Sequence, residues 1–284
     1  MKTCLITGAN AGIGKQAAIQ IAKKGFHVII GCRNLERGNA ALQEIKKQSK
    51  SNSVELIQVD MASKASILKA VDEIKSKHEI LDVLIHNAAA FDISQKKPKF
   101  SPDGIETIWA TNHIGPVVLT SNLLPLLQNS AQGRVITIAS KGLLMYPNLK
   151  VDLDDPEFKH RKFSVAKAYY QSKLAQIMFT YRLAEKQKAN HITANCIRVT
   201  NVKVDLNRYP NVSSFMKWVY KLKSKSSITA QEMAGTYTWL ATNPELETIT
   251  GKYFNEKNEL VSSSKYSRNA KNIEEVMKLT HTYL

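Results

Sequence analysis

The chain has little cysteine. Its 284 residues hold three, Cys4, Cys32 and Cys196, an odd number spaced far apart, which excludes a disulfide framework. Each sits in a strand-like run and reads as a small buried hydrophobe in a reducing compartment. Acidic residues are also short, 24 against 40 basic, leaving a formal net charge of +16. The lysines that carry the excess are scattered along the whole length. No zinc-finger spacing, aromatic-rich single-strand platform or basic-helix dimer pattern accompanies them, so the expected partner is not nucleic acid but solvent over a lysine-rich surface. None of the seven histidines is expected to form a metal-ligand cluster, and no metal is expected. No apolar run is long enough to span a bilayer, and strand-like sequence from Lys2 leaves no room for a signal peptide. The expectation is a cytoplasmic protein without a transmembrane segment. Peripheral membrane contact and homo-oligomer formation stay open.

What is present is a βα rhythm. With 43% hydrophobic residues the chain can bury one large core, and a single α/β domain over residues 1–284 is expected. Lys2 to Thr7 reads as a first strand. The turn Gly8-Ala9-Asn10-Ala11-Gly12-Ile13-Gly14 and a helix-like run to Lys24 follow it. Strand, glycine-rich turn and helix form the phosphate-binding element of a doubly wound sheet: glycines let the backbone approach a pyrophosphate, and the helix N-terminus supplies N–H donors. A second strand, His27 to Gly31, ends at Cys32-Arg33-Asn34. A site for NAD would want a carboxylate at this junction. The planar fork of Arg33 suits a 2′-phosphate instead, and Lys15 and Arg37 add positive charge, so NADP(H) is expected over NAD(H). Strands at Val54–Val59 and Leu81–His86 end at Asp60-Met61 and Asn87-Ala88-Ala89, residues that would line a cofactor crevice. Gln95 to Lys99 reads as an exposed loop, and a helix follows that contains Thr111-Asn112-His113. Arg134 to Ala139 is the fifth strand, with Ser140 at its carboxyl end, and His191 to Ile197 is the sixth.

One side-chain pair stands out. Tyr169 and Lys173 are one helical turn apart on the same face, and an ammonium beside a phenol stabilises the phenolate, making the phenol a proton donor. Such spacing also arises by chance, and Tyr146–Lys150 and Tyr253–Lys257 share it. Pro147 argues against helix at Tyr146, and Tyr253 lies in a short strand-like run. Tyr169 lies in a convincing helix, opened by Ser164 as a cap and carrying Leu174, Ile177, Met178 and Tyr181 at helical spacing. Tyr170 falls on that apolar stripe and reads as core.

Taken in order, Thr7 to Gly14, Cys32-Arg33-Asn34, Asn112-His113, Ser140, Tyr169-x-x-x-Lys173-Leu174-Ala175 and Gly251-Lys252-Tyr253-Phe254 resemble the short-chain dehydrogenase/reductase family, and within it the retinol-dehydrogenase-like branch. The resemblance runs from the glycine turn to about Phe254. It implies a seven-stranded parallel sheet with helices on both faces and a dinucleotide across the strand ends. It also implies Tyr169 as general acid/base, Ser140 as hydrogen-bond partner of the substrate oxygen and Lys173 as holder of the nicotinamide ribose. Asn112 would support a proton-relay water. The implied cofactor contacts are Gly8, Asn10, Ala11, Gly12, Ile13, Gly14, Arg33, Asn34, Asp60, Met61, Asn87, Ala88, Tyr169, Lys173 and Val202.

The chain departs from the family pattern in places. Val199-Thr200 replace the usual Pro-Gly after the sixth strand, Val204 stands where a threonine is common, and His86-Asn87-Ala88-Ala89 replaces Asn-Asn-Ala-Gly. The membrane anchor many branch members carry has no counterpart before Lys2. Between about 206 and 228 the βα rhythm lapses. Phe215, Trp218, Val219 and Leu222 make an apolar stripe that reads equally as a docked helix or as a lid over an apolar substrate. The expected activity is NADP(H)-dependent interconversion of an alcohol and a carbonyl on a small apolar substrate. The rival is a catalytically weak dinucleotide-binding regulatory or interaction protein on the same fold.

Overall fold

A computed structural model describes residues 1–203 and 227–284. The expected rhythm is realised as β1 (Thr3–Thr7), α1 (Gly12–Lys23), β2 (His27–Cys32), α2 (Leu35–Ser49), β3 (Val54–Gln58), α3 (Lys64–Lys77) and β4 (Val83–His86). A short turn of helix, α4 (Thr107–Trp109), then runs through a π-helical turn (Ala110–Ile114) into α5 (Gly115–Gln128). After β5 (Gly133–Ser140) come α6 (Val165–Lys186), β6 (Ile192–Val199), α7 (Ala230–Thr242), β7 (Lys252–Phe254), α8 (Lys265–Arg268) and α9 (Ala270–His281). The strands form one seven-stranded sheet of order β3-β2-β1-β4-β5-β6-β7, every pair parallel. The chain order reverses between β1 and β4, which opens a crevice at the carboxyl ends of these strands.

Parallel strands need both faces covered, so they read as apolar runs rather than alternating ones. Two core clusters fill those faces. On one, Leu5, Ile29 and Leu84 meet α3, α5, α6 and Val276 and Met277 of α9. On the other, Ile6, Val28, Ile30 and Ile85 meet α1, α2 and α7. The three cysteines are buried and free.

Element ends differ from expectation for local reasons. The sixth strand starts at Ile192, because His191 has a left-handed backbone (φ 54°), and it extends to Val199 through pairing with Ser140. Pairing at β4 starts at Val83 rather than Leu81, whose N–H donates to Leu126 of α5. Tyr170 is half-buried rather than core, its ring 4.8 Å from that of Tyr146. The apolar stripe expected at Phe215–Leu222, Val204 and most of the proposed insertion lie outside the described residues.

Candidate active site

The glycine turn shapes one wall of the crevice. Gly8 has a left-handed backbone (φ 66°), and a Cβ there would come 2.7 Å from Ala88 Cα. Gly12 is also left-handed (φ 58°) and opens α1. The helix cap is Ala11, which has no side chain to cap the first-turn N–H groups, and no acidic residue stands in that turn. Those donors are therefore suited to an anion. Asn87 ties this turn to β4: its amide nitrogen donates to the Thr7 and Gly8 carbonyls, both at 3.0 Å, and its oxygen accepts from Tyr237 at 3.4 Å. The Ala88 N–H donates to Thr7 Oγ1 at 3.1 Å.

The crevice has a volume of about 770 Å³. Gly8, Asn10, Ala11, Gly12 and Ile13 line it, as do Arg33, Asn34, Asp60, Met61, Asn87, Ala88 and Val202. Gly14 is not in this wall. It is buried under Asn87, where a Cβ would meet the Asn87 amide, so its role is close helix–strand packing. Arg33 is exposed, its guanidinium 3.9 Å from the Asp60 carboxylate. Lys15 also lines the crevice but is held by Glu44 at 2.6 Å, and Arg37 lies beside it. A phosphate-bearing dinucleotide fits this cradle: glycines where a Cβ would clash, an uncapped helix N-terminus and basic side chains at its far end.

The second group of residues gathers on α6, β5 and the π-helical turn. Ser164 caps α6, accepting from the Lys167 N–H. Lys173 is buried, its ammonium donating to the Ile138 carbonyl of β5 at 2.8 Å and lying 5.7 Å from the centroid of the Tyr169 ring. Burial pulls the Lys173 pKa down to about 8. The Tyr169 ring is 4.3 Å from Phe91 and 5.3 Å from Tyr170. Asn112, also buried, pairs with both backbone groups of Ala90, accepting at 2.7 Å and donating at 3.1 Å, and donates to Ser172 of α6 at 3.0 Å. Ser140 ends β5, where its hydroxyl accepts from the Gly142 N–H. It lines a separate apolar pocket of about 280 Å³ with Leu143, Leu144, Tyr146 and Leu149. Among the described residues, Tyr169 and Lys173 belong to the wall of neither cavity.

Two groups had no sequence signal. Glu106 is fully buried, caps α4 by accepting from the Ile108 and Trp109 N–H groups, and so fixes the start of the π-helical turn that carries Asn112. Burial raises its pKa above the usual carboxylate range despite those bonds. The second is a correction to the expectation of no metal-ligand cluster. His27, Glu55 and His78 each present a ligand atom, all within 4.8 Å of one another. Residues so far apart in sequence meet only because β2 and β3 pair in parallel and α3 returns its end to the strand origins.

A parallel sheet with a glycine-turn crevice at its topological switch point, and a tyrosine and a buried lysine on the helix beside it, defines a dinucleotide-binding oxidoreductase fold. The short chain dehydrogenase family model matches residues 2–150. Human retinol dehydrogenase 13 is 33% identical over 260 residues, 89% of this chain and 76% of the relative. The chain belongs to the short-chain dehydrogenase/reductase family, in its retinol-dehydrogenase-like branch. Among solved structures, an uncharacterized protein from Mycobacterium paratuberculosis matches with a TM-score of 0.76 at 24% identity, covering 100% of this chain and 93% of that one. A short chain dehydrogenase from Shigella flexneri, solved with NADP, matches with a TM-score of 0.67 at 21% identity, covering 90% of this chain and 97% of that one. No described helix is long and apolar enough to cross a membrane.

Proposed function

We propose that the chain is an NADP(H)-dependent oxidoreductase that interconverts an alcohol and a carbonyl on an apolar substrate. The observation that carries this reading is the Lys173 ammonium, buried in the protein 5.7 Å from the centroid of the Tyr169 ring. A buried cation is costly, and stabilising negative charge on a neighbouring phenol is a use that offsets the cost. The turn Gly8 to Gly14 and the N-terminus of α1 would take the pyrophosphate, Arg33 and Asn34 the 2′-phosphate, and Lys173 the nicotinamide ribose. Asp60, Met61, Asn87, Ala88 and Val202 would form the wall around them. When bound, the nicotinamide supplies or accepts the hydride.

The protein's own residues manage the proton. Tyr169 gives its proton to the alkoxide that forms in reduction and takes one back in oxidation, with Lys173 stabilising the charge left on its oxygen. Ser140 donates to the same substrate oxygen. Asn112, rigidly bonded to Ala90, supports a water through which the proton is replaced. The apolar pocket at Ser140 supports an apolar substrate, as does similarity to a retinol dehydrogenase. The test is NADPH consumption against a panel of aldehydes and ketones by wild type and Tyr169→Phe. Turnover in wild type and its near loss in the variant, with NADPH binding kept, supports the mechanism. A Tyr169→Phe variant that keeps most of the rate overturns it. NADPH binding with no turnover on any carbonyl favours the regulatory reading, which draws on the departure at Val199-Thr200.

A further inference from the structure

At the opposite end of the sheet from the crevice, three side chains converge with no part in the function above. His27 is the first residue of β2. Glu55 lies in the adjacent β3, paired alongside Ile29, so that His27 and Glu55 share the face covered by α3. His78 is the residue at which α3 ends, brought back to that same face. His78 Nε2 is 2.6 Å from Glu55 Oε1, and His27 Nε2 is 3.3 Å from the same oxygen. Two imidazole nitrogens therefore converge on one carboxylate oxygen.

Further contacts hold the cluster in place. The Ser53 hydroxyl lies 3.4 Å from Met1 Sδ and is hydrogen-bonded to His27 Nδ1 at 3.0 Å. Lys77, the nearest competing cation in sequence, is engaged by Glu73 at 2.7 Å.

We propose that His27, Glu55 and His78 form a binding site for a divalent transition metal of the Zn²⁺ class, strapping the origins of β2 and β3 to the end of α3. Two histidines and a glutamate are a zinc-type donor set, and three protein ligands leave a fourth position for water. Tetrahedral coordination at about 2.0–2.2 Å separates ligand atoms by roughly 3.3 Å. The His27–Glu55 distance already matches, the His78–Glu55 pair needs to open by less than an ångström, and the two histidine nitrogens, within 4.8 Å of each other, close onto the ion. Side-chain exposures of 19%, 26% and 17% for His27, Glu55 and His78 let an ion in from solvent. Ser53 is the outer hydrogen bond that holds the His27 ring, the kind of support that orients metal-ligating histidines.

The experiment is calorimetric titration of the chelator-stripped full chain with ZnCl₂ near neutral pH, with thermal unfolding alongside. One equivalent is expected to bind and to raise the melting temperature, reversibly on adding EDTA. Glu55→Gln and His78→Ala each lower the affinity at least tenfold, and Ser53→Ala lowers it about tenfold. NADPH binding at the far end of the sheet is unchanged in all three. Should a variant not fold, the wild-type protein loaded with Co²⁺ still decides: the intense visible bands of a tetrahedral site are expected. Absence of saturable one-to-one binding in the wild type overturns the site and leaves a hydrogen-bonded triad. Equal affinity in wild type and folded variants also overturns it, since the metal is then held elsewhere.

Discussion

Lys173 carries a charge in a place that resists it. Its ammonium is buried with the Ile138 carbonyl as acceptor, and burial brings its pKa from 10.5 to about 8. Between those values the unfolded chain holds a proton the folded one has released, so stability rises with pH across that window. The penalty is therefore fully present below pH 8. Lys173→Met is expected to be more stable than wild type near neutrality by on the order of 1–3 kcal/mol, and to lose turnover. Urea unfolding of both proteins from pH 7 to 10 checks this, and a difference that does not shrink with pH would refute it. Arg33 raises a separate question, that of cofactor choice. If it reads a 2′-phosphate, wild type binds NADPH more tightly than NADH, and Arg33→Ala loses roughly tenfold or more for NADPH alone. Fluorescence titration with both cofactors measures this, and equal affinities in wild type would remove the assignment.

At the scale of elements, the strand–turn–helix unit β1–α1 depends on a close approach of two backbones. Gly8 has a left-handed conformation with Ala88 directly against it. Gly8→Ala adds both backbone strain and a clash with main chain that cannot swing aside. We expect a destabilisation of about 1–3 kcal/mol together with loss of dinucleotide binding. Calorimetric unfolding and NADPH titration of the variant test the two effects separately, and a Gly8→Ala protein that binds normally would mean the turn adapts. The same scale accounts for the departure at Val199-Thr200. Val199 is the last paired residue of β6, opposite Ser140, and Val202 bridges to Ile228 beyond it. Strand pairing thus reaches Val199, where the family pattern puts the proline, and Thr200 lies just past its end.

For the whole molecule, acid is the predicted weakness. His86 and His113 are fully buried, and burial drives both pKa values down to about 3. Thr280 passes its own hydroxyl proton to the Val276 carbonyl, so His113 Nε2 is the donor to Thr280 and the ring is neutral, joining the π-helical turn to α9. Unfolding lets both rings take up protons below their ordinary value of 6.5. Each then contributes a loss of about 1.4 kcal/mol per pH unit from there down to about pH 3. Stability measured by urea at pH 7, 6, 5 and 4 is expected to fall towards the summed slope of about 2.8 kcal/mol per pH unit, and His113→Gln to flatten it by close to half. A flat profile in wild type would show that neither histidine is held neutral.

The parallel sheet was legible from the chain because its causes are local. Apolar runs of strand length, the turn from Gly8 to Gly14 and capping residues such as Ser164 act within a few neighbours, and their alternation leaves few topologies. The pairing of Tyr169 with Lys173 was legible for the same reason, being one turn of one helix. What only the tertiary structure decided is which distant residues meet and how dry they are. Gly14 lies inside the glycine motif yet packs under Asn87 instead of lining the crevice. Glu106 is an ordinary acidic residue in sequence and a buried cap in the fold. His27, Glu55 and His78 carry no spacing that announces them, since the register of β2 on β3 and the length of α3 bring them together. Contact across a parallel sheet depends on register and crossover length, quantities that no single stretch of sequence contains.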